Sequence, residues 1–229
     1  MTSALLVLKV FSEEEAEIGI SNLAKRLGLA KSTVHRLAVT LAAEGFLEQN
    51  ADNGRYRLGL SLFSLGALVR RRMDLSNKAR PLLGLLRDKA QEAVHRAILA
   101  QTSIIYLYKL ESSQAIGIRS YIGARKPAFC TAEGRVLLAY GPPEVIAAVL
   151  KEGLVERTPK TGTNAAALKR ALEQARLSGY AVDDEESEVG IRCLAGPVQR
   201  LTTKDLRALA RDVIGTADAV SARLGYRSR

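Results

Sequence analysis

The sequence predicts a mixed α/β protein of the α+β type, with a small N-terminal domain and a larger second domain. Three observations support this prediction. Short helical patterns and one hairpin signal fill residues 1–59, and two long apolar helical patterns follow over 60–74 and 76–94. Beyond them, strand-like runs rich in β-branched and aromatic residues are followed by further helices. At 229 residues the chain is long enough for two domains, the larger with a sizeable core.

Residues 20–58 have the pattern of a winged helix-turn-helix. A first helix would end at Gly28, because glycine tolerates the positive φ that closes a helix. Its apolar side would be Leu23, Leu27 and Leu29, and that of the second helix Val34, Leu37, Val39, Leu41 and Ala42. A hairpin turning at residues 52–54 completes the unit. Helix, turn, helix and wing in this order are typical of DNA-binding domains.

The first turn of the second helix carries hydrogen-bond donors that would face outward. Such donors suit phosphates and base edges, and arginines on the wing suit phosphates or the minor groove. The predicted DNA contacts are Ser21, Lys31, Ser32, Thr33, His35, Arg36, Arg55 and Arg57. The alternative interpretation is a trihelical packing unit whose charges are merely solvated.

The charge distribution agrees with a nucleic-acid partner. The net charge is +10, and residues 21–72 contribute +6 of it from nine basic and three acidic side chains. Clustered positive charge attracts a polyanion and gives salt-dependent affinity. We find no signal peptide and no run long enough to span a membrane, so no membrane partner is expected. The two cysteines, Cys130 and Cys193, fit a reducing cytoplasm.

The pattern divides the chain into the DNA-binding domain (1–59), a linker or dimerisation helix (60–75) and a second domain (76–229). The linker is too apolar for an isolated connector, so a second copy of the chain is expected to cover it. The candidate interface residues are Leu60, Phe63, Leu68 and Val69, with help from Leu5, Leu6, Leu8 and Phe11. A dimer would also read a pseudo-palindromic site, which one winged helix cannot.

The second domain is predicted to contain groups of strands separated by helices. The apolar side of the helix at 76–94 would be Leu82, Leu83, Leu85, Leu86 and Ala90. Strands are predicted at 96–101, 103–111, 115–121, 180–182 and 191–195, and helices at 131–140, 143–150, 165–177 and 203–224. Asn164 would cap the third of these helices and Gly179 would end it.

Both halves together resemble the IclR family of bacterial transcriptional regulators. The resemblance rests on residues 29–37 (LAKSTVHRL), 53–59 (NGRYRLG), 131–139 (TAEGRVLLA), 179–186 (GYAVDDEE) and 190–198 (GIRCLAGPV). It implies a GAF-like C-terminal domain with an antiparallel sheet that binds a small-molecule effector. It also implies a homodimer or a dimer of dimers on operator DNA, and both repressors and activators occur in the family.

The effector is expected to be an organic or aromatic acid, bound near the N-terminus of the helix that begins at Thr131. Free backbone N–H groups there suit a carboxylate, and the Gly123 loop would form a lid. The resemblance adds Asp183 and Cys193 as pocket walls. The candidate effector residues are therefore Gly123, Ala132, Glu133, Gly134, Asp183 and Cys193, with Arg125 or Arg192 as supplements. No cofactor is expected.

One departure from the family pattern follows Pro197-Val198. The family has a strand, a turn and a second strand there, whereas this chain leads directly into the residues of the last helix. Either a strand of the sheet is absent or the sequence omits residues. Omission is the expectation, because losing a central strand would leave its neighbours with unpaired backbone groups.

A second class of function competes with that of a regulator. The carboxylates of residues 183–188 could do acid-base work or hold a metal with Cys193, which would make the protein an enzyme or metal-binding protein with a docking module. The chain has only two histidines, His35 and His95, and shows no metal-ligand or nucleophile motif. We therefore expect no catalytic and no metal site.

Overall fold

The computed structural model describes residues 1–12, 14–72, 75–112, 120–193, 196–197 and 203–225. The chain separates into two compact units, Met1–Asp74 and Leu75–Arg229. The predicted linker helix belongs to the first unit, and the division falls at the end of the predicted linker.

The N-terminal unit is a winged helix-turn-helix followed by one further helix. Its elements are α1 (Thr2–Leu8), α2 (Ile20–Leu27), α3 (Lys31–Ala43), β1 (Leu47–Gln49), β2 (Tyr56–Leu58) and α4 (Leu60–Arg72). Gly28 ends α2 in the left-handed conformation at φ +63°, as predicted. The two strands pair antiparallel with Glu48 opposite Arg57, and Ile18 forms a bridge to Tyr56.

A small apolar core joins these elements. Its buried members are Val7, Ile18, Leu23, Ala24, Val34, Ala38, Leu47 and Tyr56. Leu8 and Phe11, two of the predicted interface residues, are half-buried against this core, whereas Leu5 and Leu6 are exposed. Val39 is 47% exposed, because the helical repeat turns Ala38 and not Val39 inward.

A close backbone approach joins the hairpin to α4. A Cβ at Gly59 would lie 2.2 Å from the carbonyl oxygen of Gly45, so no other residue fits without a backbone shift. Gly45 itself has φ +70°. The link between wing and α4 therefore depends on this pair of glycines.

The second unit contains five helices and two small sheets within its described part. Its elements are α5 (Leu75–Ala90), β3 (Val94–Ala100), β4 (Ser103–Leu110), β5 (Arg125–Pro127), α6 (Ala132–Ala139), α7 (Pro143–Glu152), α8 (Ala165–Ser178), β6 (Asp183–Asp184), β7 (Ile191–Cys193), β8 (Gly196–Pro197) and α9 (Thr203–Arg223). The strand orders are β3-β4-β5 and β6-β7-β8, all antiparallel.

Two apolar clusters hold this unit together. The larger gathers Ile104, Tyr106, Phe129, Leu138, Val149, Leu168 and Leu172. The smaller packs α5 against α9 and β3 through Ala79, Leu83, Leu86 and Val94, with Val213 and Val220 beside them. Leu85 was predicted to be buried, but it is 67% exposed.

Most predicted elements are found, with shifted ends. Asn164 caps α8 by accepting from the Ala166 N–H at 2.7 Å, and Gly179 ends that helix, as predicted. Helix α5 stops at Ala90, where Gln91 follows with a φ of +56°, and β3 starts at Val94. The strand predicted at 180–182 is instead the short β6 that starts at Asp183. Most of the strand predicted at 115–121, and the end of that at 191–195, lie outside the described residues.

Strand β3 forms the edge of its sheet. Within the described part of the chain it pairs with β4 alone, and β8 likewise pairs only with β7. Five residues separate Pro197 from the start of α9, which is too short for a strand, a turn and a second strand. The short segment after Pro197, where the sequence departs from the family pattern, therefore accompanies a division of the strands into two sheets.

Candidate functional site

The N-terminal half of α3 presents the predicted donors to solvent. Lys31, Ser32, His35 and Arg36 are exposed, and Thr33 is half-buried beside the fully buried Val34. No described side chain caps this helix, so first-turn N–H groups remain for a phosphate. Ser21, on α2, is exposed as well.

The wing is held by a carboxylate that the sequence analysis missed. Glu17 accepts from Asn53 at 3.0 Å and from Asn50 at 3.1 Å, and these bonds, with the charges of Arg57 and Arg55, lower the pKa of Glu17. Glu17 lies more than thirty residues before Asn50, so no local sequence pattern connects them. The fold alone brings them together.

The two wing arginines differ in their surroundings. Arg57 donates to Glu48 at 3.0 Å and lies 3.7 Å from Glu17, so its charge is already partly neutralised. Arg55 lies just before β2, is exposed, and makes no side-chain hydrogen bond to any described residue. Arg55 is thus the better placed of the two to meet a phosphate.

A cavity of about 540 Å³ lies in the second unit between α5, β3, α6 and α9. Apolar side chains such as Leu83, Val136 and Val213 form most of its wall. The charged residues that line it are Glu92, Arg96 and Glu133. An apolar cavity of this size with a few polar groups is typical of small-molecule sites, which measure roughly 300–1,000 Å³.

The structure brings some of the predicted effector residues to this cavity. Ala132, Glu133 and Cys193 line it, together with Tyr180 and His95. Gly123, Gly134 and Asp183 are not among the lining residues. Neither is Arg125 or Arg192.

Gly134 and Gly123 have structural explanations. A Cβ at Gly134 would lie 2.3 Å from the carbonyl oxygen of Ala128, so the glycine lets α6 approach that backbone. The N–H of Gly123 donates to Tyr106 at 2.7 Å, and its φ of +96° makes the turn into β5.

Asp183 organises its own loop. Its side chain is completely buried, and Oδ1 accepts from the N–H groups of Glu186 at 2.7 Å and Ser187 at 3.2 Å, while Oδ2 accepts from the Ser187 hydroxyl. Burial raises the pKa of Asp183, and these hydrogen bonds oppose the rise. The carboxylate is therefore occupied by residues 186 and 187.

Apart from Asp183, the carboxylates of residues 183–188, the acidic loop, are paired with bases. Asp184 accepts from Arg192 at 2.8 Å, Glu188 from Lys126 at 2.8 Å, and Glu185 from Lys160. Arg135 binds Glu186. In the described part of the chain no group of His, Cys, Asp and Glu side chains could hold a metal ion.

Both cysteines are buried and form no disulfide. Burial, with the nearby Asp183 charge, raises the pKa of Cys130 to about 11, so it stays a thiol at neutral pH. Cys193 stands opposite Asp183 in the sheet and contributes to the cavity wall. No helix in the described residues is long and apolar enough to cross a membrane.

The fold and the two sites define a winged-helix DNA-binding protein joined to a domain with a ligand-sized cavity. The IclR helix-turn-helix domain matches residues 3–51, and the C-terminal domain of the bacterial transcriptional regulator IclR matches residues 67–210. The chain belongs to the IclR family of DNA-binding transcriptional regulators with a C-terminal effector-binding domain. Of the two predicted classes of function, this membership confirms the DNA-binding transcriptional regulator over the alternative of an enzyme or metal-binding protein.

Curated relatives are regulators. The chain is 38% identical to the HTH-type transcriptional regulator XynR of Escherichia coli over 208 residues, covering 90% of this chain and 82% of XynR. It is 28% identical to the E. coli transcriptional repressor IclR over 245 aligned positions, which cover 98% and 89% of the two chains. That alignment is longer than the present chain, so it includes positions that this chain lacks.

Solved structures share the fold. An IclR transcriptional regulator from Silicibacter sp. TM1040 matches with a TM-score of 0.86 at 27% identity, covering 100% of this chain and 97% of that one. An IclR homologue from Microbacterium hydrocarbonoxydans, solved in complex with 4-hydroxybenzoate, matches with a TM-score of 0.74 at 25% identity, covering 96% and 98%.

Proposed function

We propose that this regulator is a dimer that reads operator DNA in the cytoplasm through α3 and Arg55, and that an organic or aromatic acid in the cavity changes its operator affinity. The observation that carries the proposal is the pairing, in one chain, of an exposed donor-rich recognition helix with a ligand-sized apolar cavity. Each part of the proposal has its own support.

The DNA contacts are supported by the exposure and chemistry of α3. Lys31, Ser32 and Arg36 are exposed, and a helix with such donors near its N-terminus fits the major groove. An arginine that reads a guanine contributes roughly 1–3 kcal/mol of discrimination between sequences. Loss of a phosphate contact, in contrast, weakens binding to all DNA sequences about equally.

Operator binding by Arg36→Ala tests this part. An operator is first selected from random DNA with the wild-type protein, and affinities for it and for random DNA are then compared at fixed salt. We expect a loss of roughly 1–3 kcal/mol on the operator and a smaller loss on random DNA. Arg170→Ala, an exposed change on α8, is the control. Unchanged operator affinity in Arg36→Ala would refute the assignment.

The acid effector is supported by the cavity wall and by the relative solved with 4-hydroxybenzoate. The mainly apolar wall suits the body of such an acid, and Arg96, which lines the cavity, is a cation that can receive its carboxylate. By linkage, an acid that changes operator affinity must itself bind with altered affinity when operator is present. Calorimetry of 4-hydroxybenzoate and other small acids with and without operator measures this coupling.

The dimer is supported by the surface of α4. Leu60 and Phe63 are 73% and 75% exposed, and Leu65, Leu68 and Val69 are exposed beside them on the same helix. A cluster of large apolar side chains on one helix is typical of an interface. The occupant that we propose is α4 of a second copy, since two winged helices are needed to read a pseudo-palindrome.

A further inference from the structure

Two side chains of opposite charge on the cavity wall have polar atoms without a hydrogen-bond partner among the described residues. All three guanidinium nitrogens of Arg96 are shielded from solvent and donate to no described residue, and Oε2 of Glu133 is likewise shielded and accepts from none. Both residues line the cavity. Burial lowers the pKa of Arg96 and raises that of Glu133.

Partnerless buried charges are rare because they lose their hydration without compensation. Other buried charges of this unit are compensated: Arg135 binds Glu186, and Asp183 accepts from residues 186 and 187. The contrast within one domain indicates that Arg96 and Glu133 await a group that is not part of the chain.

The two residues come from different elements. Arg96 lies on β3 at a bulge where the pairing with β4 shifts between Arg96 and Ala97. Glu133 lies in the first turn of α6, and the wall around both is mainly apolar. Because the Arg96 nitrogens are covered, a rotation of this long side chain must bring them to an incoming oxygen. Its four rotatable bonds allow that.

We propose that Arg96 and Glu133 select a monocarboxylic acid with a hydroxyl group at its far end. Arg96 donates to the carboxylate, and the Glu133 carboxylate accepts from the hydroxyl. This assignment rests on the proposed effector function and narrows its ligand class. A second carboxylate at that end of the ligand would enter a mainly apolar wall beside the Glu133 carboxyl group, so we expect dicarboxylic acids to bind more weakly.

The first test needs no ligand. Thermal unfolding is compared for the wild type, Arg96→Met and the control Arg125→Met, whose exposed side chain lies outside the cavity. Removing a partnerless buried cation should raise the Tm of the ligand-free protein, whereas the control should leave it unchanged. A lower Tm in Arg96→Met would show that Arg96 already has a structural partner and would overturn the assignment.

The second test uses two series of probes: 4-hydroxybenzoate, benzoate, methyl 4-hydroxybenzoate and terephthalate, then 6-hydroxyhexanoate, hexanoate and adipate. In at least one series the hydroxy acid should bind at least tenfold more tightly than its counterparts without the hydroxyl, without the free carboxylate, or with a second carboxylate. Arg96→Met should lose that affinity at least tenfold, and Glu133→Leu, which removes the acceptor, should erase the preference for the hydroxyl.

Each contrary result overturns a stated part. Equal binding of benzoate and 4-hydroxybenzoate, with the aliphatic series showing the same, refutes the role of Glu133. Hydroxy-acid binding that survives Arg96→Met refutes the role of Arg96 and leaves the effector function standing. If neither series binds, the ligand class is refuted, and the operator assay with Arg36→Ala still decides the DNA-binding part by itself.

Discussion

Nη1 of Arg135 donates to Oε1 of Glu186 at 2.6 Å, and this ion pair fastens α6 to the acidic loop. The same guanidinium donates to the carbonyl oxygens of Phe129 at 3.0 Å and Val182 at 3.1 Å. Arg135 is buried, so these bonds compensate its charge away from water. The helix that carries Glu133 and the loop that contains Asp183 are therefore held as one body.

Arg135→Met should destabilise the protein strongly, because it leaves the largely buried Glu186 carboxylate without its cation. Breaking a buried pair costs roughly 3–5 kcal/mol. Chemical denaturation measures the change, and Lys160→Met, which removes an exposed partner of Glu185, should have little effect. A loss no larger than that of the control would mean that the Arg135 pair is not essential to the fold.

Gly134→Ala should destabilise the second unit by roughly 1–3 kcal/mol or more, since the new Cβ meets the backbone of Ala128. Gly84→Ala on α5 is the matched control, because its Cβ would meet nothing within 4 Å and alanine favours the helix. We expect the control to be neutral or stabilising in the same denaturation assay. Equal stability of the two variants would contradict the close approach.

The free energy of unfolding should decrease at acidic pH, because His95 is buried as a neutral imidazole. Burial, and then the charge of Lys109, lowers the pKa of His95 to about 4, while its Nε2 is paired with the Ser120 hydroxyl at 2.6 Å. In the unfolded chain the imidazole titrates near pH 6.5. The buried, neutral His95 therefore stabilises the folded state fully above that pH, and this stabilisation is lost as the pH falls toward 4.

The measurement is the free energy of unfolding at pH 7 and pH 4 for the wild type and His95→Gln. The wild type should lose roughly 3 kcal/mol more than the variant over this interval. In a His35→Gln protein, which keeps a single imidazole, NMR should place the His95 midpoint near 4. Parallel pH curves for the two proteins would contradict the buried neutral imidazole.

Phe63→Asp should produce monomers with weak operator affinity if α4 is the dimer interface. The side chain is 75% exposed in the single chain, so the change should not disturb the fold of the unit. Sedimentation at micromolar concentration reads the assembly, circular dichroism checks the fold, and Leu177→Asp, an exposed leucine on α8, is the control. A monomeric wild type that still binds operator tightly would refute the interface.

The two wing arginines should contribute unequally to DNA binding. Arg55→Ala should reduce the slope of log affinity against log salt by about 1, as expected for one lost phosphate contact. Arg57→Ala should change it less, because Glu48 and Glu17 already face that guanidinium. Larger loss from Arg57→Ala would show that its ion pairs exchange for phosphate on binding.

Local signals explain what the sequence could predict. Gly28 and Gly179 end helices by conformation, and Asn164 caps one through its own side chain, so each needs only its neighbours. Val39 and Leu85 were misplaced because a run of apolar residues does not say which ones face inward. Glu17 and Arg96 escaped prediction because their surroundings arise only when distant segments meet.

Because the sheet of the second unit is divided, the rigidity of this unit should depend on whether the cavity is occupied. Between β3 and β7 no backbone ladder is present in the described residues, so the two halves meet through helices and across the cavity. A bound molecule there would act as a removable part of the hydrophobic core. Ligand binding would then make the whole domain more rigid. Slower amide hydrogen exchange in β6 and β7 would report this change.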